Sequence, residues 1–217
     1  MRTAIIFDFD GTILDTETPE FVAWQEVYAS YGASLDAAVY RQVIGTTDAT
    51  WSPAANLAEL LDRPLDTSLF KAAQRDRFER LIAAERPRPG VIEWLDEARD
   101  LGLRIGLASS SSAAWVSRFL SQLSLSDRFA AVATRERVAR SKPDPALYQV
   151  ALHDLGVPAT AALAVEDSRN GVTAAKAAGL FCVAVPNPMT AGSSLAGADV
   201  QLFSLRDRSL SDVIKAG

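Results

Sequence analysis

The chain has 217 residues, with 22 Lys and Arg against 27 Asp and Glu, a formal charge of −5. That length suffices for one substantial core plus a smaller insert, and the acidic balance argues against a nucleic-acid binder, which carries a basic excess. The single cysteine, Cys182, excludes an internal disulfide, and no run approaches the ~18 apolar residues of a membrane span.

The first element is the apolar run Ala4-Ile5-Ile6-Phe7, a short buried strand predicted over 4–9 that exits into a loop at Gly11-Thr12. It begins so close to the N-terminus that no signal peptide fits before it, and a monomer in the cytoplasm is expected. Asp8 and Asp10 stand at the mouth of this strand. At ~4 Å and an effective dielectric near 20, two like charges repel by about 4 kcal/mol, which a cation or a proton must offset. The bland alternative is an Asx turn, with Asp10 capping the loop.

Residues 16–86 contain no convincing strand. Trp24, Val27, Tyr28 and Tyr31 follow the spacing of an amphipathic helix, and Phe70, Ala73, Phe78, Leu81 and Ile82 suggest another. Asn56 to Leu61 forms a third candidate after Ser52-Pro53, a helix start. Arg86-Pro87-Arg88-Pro89-Gly90 reads as a return hinge. The expected division is an α/β core of residues 1–15 and 87–217, with a helical insert at 16–86. The alternative is that these helices pack on one face of a single domain.

From residue 90 onward, strands alternate with helices. Val91/Ile92, Leu95, Ala98 and Leu101 form a helix stripe, and further strands are predicted at 103–108, 129–133, 161–166, 180–185 and 200–203. Cys182 falls in the fourth of these, where a buried strand residue is expected. This rhythm implies a parallel, Rossmann-like sheet, which places ligands beyond the carboxyl ends of its strands.

Three further stations sit at predicted strand ends. Leu107-Ala108 exits into Ser109, Ser110, Ser111 and Ser112 and then a helix. Hydroxyls and free N–H groups there suit an anion such as phosphate, or serve as an ordinary helix cap. Lys142 lies in Ser141-Lys142-Pro143-Asp144-Pro145, just before a helix for which Asp144 and Pro145 read as N-cap and first-turn proline. A lone lysine there is otherwise solvated surface. Glu166 and Asp167 end the run Ala161-Leu163-Val165. Adjacent acids call for a cation, or cap the helix beginning near Arg169.

Together these stations resemble the haloacid dehalogenase superfamily, in its phosphatase branch with a helical cap inserted after the first strand. The motifs occur in order: Asp8-Phe9-Asp10-Gly11-Thr12, Ser109, Lys142-Pro143, and Glu166-Asp167-Ser168 followed by Asn170-Gly171. Asp8 to Thr16 and Glu166 to Lys176 are most similar to the β-phosphoglucomutase and sugar-phosphate phosphatase group. The resemblance implies Asp8 as nucleophile, forming an aspartyl-phosphate, and Asp10 as the acid that protonates the leaving alcohol and then activates water. It implies Mg²⁺ among Asp8, the Asp10 backbone carbonyl and Asp167, with Glu166 ligating directly or through water. Ser109 and Lys142 are then expected to hold phosphoryl oxygens. Gly11, Thr12, Ser110, Glu17 and Asn170 are further candidates for phosphate, substrate or water contacts. The expected partner is a small phosphorylated metabolite.

Asp10 argues against a dehalogenase, which lacks that acid. A phosphonatase needs an early cap lysine, but the first lysine here is Lys71. The serious rival is a phosphomutase of the β-phosphoglucomutase type. Such mutases place a histidine where an ungapped comparison puts Glu20, whereas the only histidine is His153, read as solvated. They also carry a cap arginine shortly after a glycine matching Gly45, but Thr46-Thr47-Asp48-Ala49 offers none. Arg75 or Arg77 could substitute, although that basic tract reads more simply as a solvated face. Two other classes remain, a nucleotide-sugar transferase with an Asp-x-Asp metal site and a non-catalytic binding protein on this fold. The first has no use for Lys142 and the late acids. The second does not need the intact set Asp8, Asp10, Ser109, Lys142 and Asp167.

Overall fold

A computed structural model describes residues 2–41, 44, 51–62, 66–192 and 194–216. The described elements, in chain order, are β1 (Ala4–Phe7), α1 (Glu17–Ser30), α2 (Ala37–Arg41), α3 (Pro53–Leu60), α4 (Thr67–Ile82), α5 (Val91–Asp100) and β2 (Arg104–Ala108). They continue with α6 (Ala113–Gln122), β3 (Ala131–Ala133), α7 (Ala146–Leu155), β4 (Ala162–Glu166), α8 (Arg169–Ala177), β5 (Phe181–Ala184), β6 (Val200–Gln201) and α9 (Leu210–Ala216). Two compact units result. One is residues 1–14, 86–187 and 191–217, and the other is residues 15–85 with 188–190.

The first unit is a six-stranded sheet of order β3-β2-β1-β4-β5-β6, parallel throughout. Its inner strands are buried on both faces, so they read as continuous apolar runs rather than as alternating patterns. One face, with Ala4 and Ile6 of β1 and Ala162 and Ala164 of β4, packs against Leu147, Tyr148, Ala151 and Leu155 of α7 and Val172 and Ala175 of α8. The alternate residues Ile5, Phe7, Leu107 and Val165 are also buried and belong to the opposite face, and α5 packs on β2 with Trp94 and Leu95 buried. All six strand regions expected from sequence are present, each shorter than predicted at one or both ends.

This strand order is that of a doubly wound sheet. Its order reverses beside β1, and the crevice for a ligand lies beyond the carboxyl ends of the strands there. Asp8 extends β1, its N–H donating to Val165 O at 3.0 Å. Ser109 extends β2, its N–H donating to Ala133 O at 2.9 Å. Glu166 ends β4.

The second unit is helical. Phe21, Trp24, Val27 and Tyr28 of α1 pack with Tyr40, Leu57 and Phe70. Tyr28 also donates to Pro53 O at 2.8 Å. Tyr31, expected to continue α1, is its C-cap residue and lies edge-on to Phe70, with centroids 5.0 Å apart. Ser52 caps α3, accepting from the Ala55 N–H, with Pro53 in the first turn. Gly45 and the stretch 46–49, which bear on the comparison with mutases, lie outside the described residues.

The segment 86–90, expected as a hinge, is part of the sheet unit. Pro87 forms an antiparallel bridge with Leu14, and the Arg88 N–H donates to Ile13 O at 2.8 Å. The chain thus leaves and re-enters the first unit on two paired backbone segments. Among the described residues, no helix is long and apolar enough to cross a membrane.

Candidate active site

Asp8, Lys142, Glu166 and Asp167 are all buried at the carboxyl end of the sheet. Lys142 Nζ donates to Asp8 Oδ1 at 2.6 Å, to Glu166 Oε1 at 2.7 Å and to Ala108 O at 2.7 Å. These three bonds use every donor an ammonium has. Lys142 is therefore no solvated surface lysine. Burial pulls its ammonium down, but the charges of Asp8 and Glu166 outweigh that and hold it above its ordinary value. Burial also raises the Glu166 carboxyl, which Lys142 draws back and the charge of Asp8 pushes further.

The lysine's placement differs locally from the expected cap. The helix starts at Ala146 with Pro145 as N-cap residue, and Asp144 reaches past it to accept from the Ala146 N–H at 3.0 Å. At the other acidic station it is Ser168 that caps α8, accepting from the Gly171 N–H at 3.2 Å. Glu166 and Asp167 are thereby left for the interior.

Asp8, Glu166 and Asp167 each offer a carboxylate oxygen within 4.8 Å of the others, the geometry of a possible cation site. Asp167 is steadied by the Asn187 amide, which donates to Oδ2 at 2.6 Å, and by the Thr12 hydroxyl at 3.5 Å from Oδ1. Gly11 has φ +78°, and a Cβ there would collide with the Asp167 carboxylate and the Asn187 amide. Only a glycine lets the loop after β1 turn this close. Likewise a Cβ on Gly171 would overlap the Glu166 carboxyl. The Gly11 carbonyl accepts from Arg88, whose guanidinium also donates to Val185 O at 3.0 Å and Pro186 O at 2.8 Å. Arg88 so ties the loop after β1 to the segment after β5.

Asp10 is not held by its own loop, as the Asx alternative would have it. Its Oδ2 accepts from the Ser111 hydroxyl at 2.7 Å and the Ser109 hydroxyl at 3.2 Å, and its Oδ1 accepts from the Trp115 indole N–H at 2.8 Å. Burial and the charge of Asp8 raise the proton affinity of Asp10, while the three hydrogen bonds oppose that rise. The serine run therefore divides its work. Ser109 and Ser111 face Asp10, Ser110 is exposed, and Ser112 caps α6 by accepting from the Trp115 N–H at 3.2 Å.

The structure thus brings Asp8, Asp10, Gly11, Thr12, Ser109, Lys142, Glu166 and Asp167 together. Asn170 is half-buried in the first turn of α8, and Glu17 opens α1 in the helical unit. Sequence reasoning missed Tyr148, whose hydroxyl donates to Glu166 Oε1 at 2.6 Å, as well as Asn187, Trp115 and Arg88, while Ser111, expected with its neighbours to suit an anion or cap a helix, instead donates to Asp10.

Comparison with known proteins agrees with this geometry. A model of the haloacid dehalogenase-like hydrolase family matches residues 5–185. The Bacillus subtilis (strain 168) protein named "Putative phosphatase YhcW" is 43% identical over 210 residues, 97% of this chain and 95% of that one. Hexitol phosphatase B of Escherichia coli (strain K12) is 32% identical over 229 residues, covering 97% and 96%. Among solved structures, a CbbY variant from Rhodobacter sphaeroides in complex with xylulose-(1,5)bisphosphate superposes with a TM-score of 0.74 at 32% identity, covering 97% of this chain and 98% of that one. With its acids, serine and lysine gathered at the reversal point of a doubly wound sheet, the chain belongs to the haloacid dehalogenase-like hydrolase family.

Proposed function

We propose that the protein is a Mg²⁺-dependent phosphatase of small phosphomonoesters, sugar phosphates or related metabolites, acting through an aspartyl-phosphate on Asp8. The observation that carries the reading is the pairing of two unlike carboxyls. Asp8 is ion-paired to Lys142, and Asp10, two residues on, is half-buried, with desolvation and the charge of Asp8 favouring its proton. A nucleophile must stay ionised and a general acid must hold a proton, and opposed environments for neighbouring acids are how a site achieves both.

In the first step an Asp8 oxygen bonds to phosphorus, the ester P–O bond breaks, and Asp10 gives its proton to the leaving alcohol. In the second, Asp10 takes a proton from water, whose oxygen bonds to phosphorus and releases phosphate and free Asp8. Lys142 holds Asp8 in place and balances its charge, and Ser109 exchanges its bond with Asp10 for one to a phosphoryl oxygen. The helical unit acts as a cap whose residues, Glu17 among them, select the substrate, and Asn170 contacts substrate or water.

The acidic cluster fits a hard divalent cation. All its side-chain donors are carboxylate oxygens, and Glu166 Oε2 is buried without a hydrogen bond. Three carboxylates against the Lys142 ammonium leave two negative charges, the complement of Mg²⁺. Asp8, Asp167 and the Asp10 backbone carbonyl would hold it, with Glu166 directly or through water. Such an ion neutralises charge that gathers on the phosphoryl oxygens.

The mutase reading is disfavoured because the position of its histidine holds Glu20, in the first turn of α1. The sole cap arginine before residue 50, Arg41, is exposed and donates to Pro188 O at 3.4 Å. The test is incubation with β-glucose 1-phosphate, a trace of the 1,6-bisphosphate and Mg²⁺. Inorganic phosphate is expected to appear, to stop on adding EDTA, and to return with excess Mg²⁺. Rapid glucose 6-phosphate formation without phosphate release would establish the mutase, and full turnover by metal-free protein would remove the cation from the account.

A further inference from the structure

We infer that Trp115 is a positioning residue for the general acid, fixing through its indole N–H which face of Asp10 is free to deliver a proton. The inference rests on the phosphatase reading above and adds a residue to it.

Three donors hold Asp10, and they are not equivalent. Ser109 and Ser111 present hydroxyls, which can donate to a carboxylate or turn and accept from a carboxylic acid. The indole of Trp115 can only donate. Its partner oxygen, Oδ1, at 2.8 Å, must therefore remain an acceptor for as long as the bond lasts. Oδ2, which among the described residues accepts from the two serine hydroxyls, is then the oxygen left to exchange a proton with a substrate. A carboxyl held at one oxygen by a rigid ring cannot rotate to exchange the roles of its two oxygens.

The ring itself is anchored. The Trp115 backbone N–H is bonded to the Ser112 side chain, and that of Ala113 to Glu136 at 3.0 Å, so the first turn of α6 is pinned at two points. One helical turn on, Phe119 meets the Trp115 ring edge-on, with centroids 4.6 Å apart. Phe119 is fully buried and tilts against Phe9, with centroids at 6.5 Å, in the loop that carries Asp8 and Asp10. A chain of packed aromatics thus runs from the Asp8-Phe9-Asp10 segment through Phe119 and Trp115 back to Asp10. A tryptophan placed only for packing would not need its N–H aimed at a catalytic carboxyl.

The role concerns the first step, in which the Asp8–phosphorus bond forms, the ester bond breaks, and the Asp10 proton passes to the departing oxygen. A poor leaving group needs that proton and a good one does not. The experiment compares kcat/KM for phenyl phosphate and p-nitrophenyl phosphate, which share a shape and differ in leaving-group quality, with the Mg²⁺-loaded protein. Trp115→Phe keeps an aromatic edge against Phe119 and deletes the N–H. It is expected to lower the ratio of phenyl to p-nitrophenyl kcat/KM by about tenfold, a fraction of the 10²–10⁴ that a positioned general acid contributes. Trp115→His places a ring N–H the same number of bonds from the backbone and is expected to restore part of the ratio. Trp115→Leu serves the same comparison if the phenylalanine variant does not fold.

A ratio equal to that of the unaltered protein in a folded Trp115→Phe, whatever its melting temperature, overturns the inference. Asp10→Asn, whose first-step rates with the two substrates are read from its single-turnover release of phenol and of p-nitrophenol, separates the two levels. If it shifts the ratio and Trp115→Phe does not, only the role of Trp115 falls. If Asp10→Asn leaves the ratio unchanged, the general-acid reading and this inference fall together.

Discussion

Asp8→Asn is expected to cut phosphate release from p-nitrophenyl phosphate by a factor on the order of 10⁴ or more, the scale of loss seen when a covalent nucleophile is removed. The substitution is nearly isosteric. The amide oxygen can still accept from Lys142, so the fold and the bond recorded at 2.6 Å have little reason to change. What is lost is the anionic oxygen proposed to bond to phosphorus, and among the described residues the neighbouring carboxylates are already held. Glu166 is tied to Lys142 and Tyr148, and Asp167 to Asn187 and Thr12. Turnover within tenfold of the unaltered protein, with an unchanged circular dichroism spectrum, would transfer the role to another residue.

Lys142→Met has the second large expected effect, and it falls on stability as well as on rate. The ion pairs of Lys142 with Asp8 and Glu166 are almost wholly shielded from water. A buried pair adds little net stability against an apolar substitute for all its members, but removing one member strands the others, at a cost of about 3–5 kcal/mol. Here two carboxylates are stranded beside each other. The urea midpoint measured without added metal is expected to fall accordingly, with an unchanged slope. Adding Glu166→Gln to Lys142→Met is expected to return part of the loss, because the two sites share one network. A loss below about 1 kcal/mol, the range of exposed pairs, would mean that water reaches the cluster.

The strands and most of the acids were legible in the sequence for simple reasons. Strands buried on both faces are short apolar runs with nowhere to hide a polar residue, so Ala4–Phe7, Ala162–Glu166 and Phe181–Ala184 stand out. Acids directly after such runs are conspicuous because an apolar strand leads straight into charge. The ends were less clear. Phe9 is as apolar as Phe7 but belongs to the turn, where its carbonyl accepts from the N–H groups of Thr12, Ile13 and Leu14. The short helices α2 and α9 were missed, since five and seven residues hold too little of a helical period to read.

The missed site residues share another property. Trp115 and Tyr148 each sit on a helix among apolar neighbours, Val116 and Phe119 in one case and Leu147 and Ala151 in the other. Their rings belong to that packing, and only their polar tips reach the acids. An apolar stripe in a sequence conceals an N–H or a hydroxyl at its end. Arg88 and Asn187 act across 77 and 20 residues of chain respectively, a separation no local pattern encodes. One signal was available for Tyr148. It follows Lys142 by six residues across a helix start, so a buried lysine implies a buried first turn behind it.

The covalent step is the centre of the account, and Asp10→Asn isolates it. That variant keeps Asp8, Lys142 and the acidic cluster but lacks the carboxyl proposed to activate water. With p-nitrophenyl phosphate, whose leaving group needs no proton, the first step can proceed and the second cannot. The variant is to be incubated with this substrate and Mg²⁺, quenched in acid and weighed by mass spectrometry. Borohydride reduction and peptide sequencing then locate the acyl phosphate. The account predicts one phosphoryl group per chain, carried on Asp8. A phosphoryl group on any other side chain, His153 included, would contradict it, as would an unmodified chain while the unaltered protein turns over the same substrate.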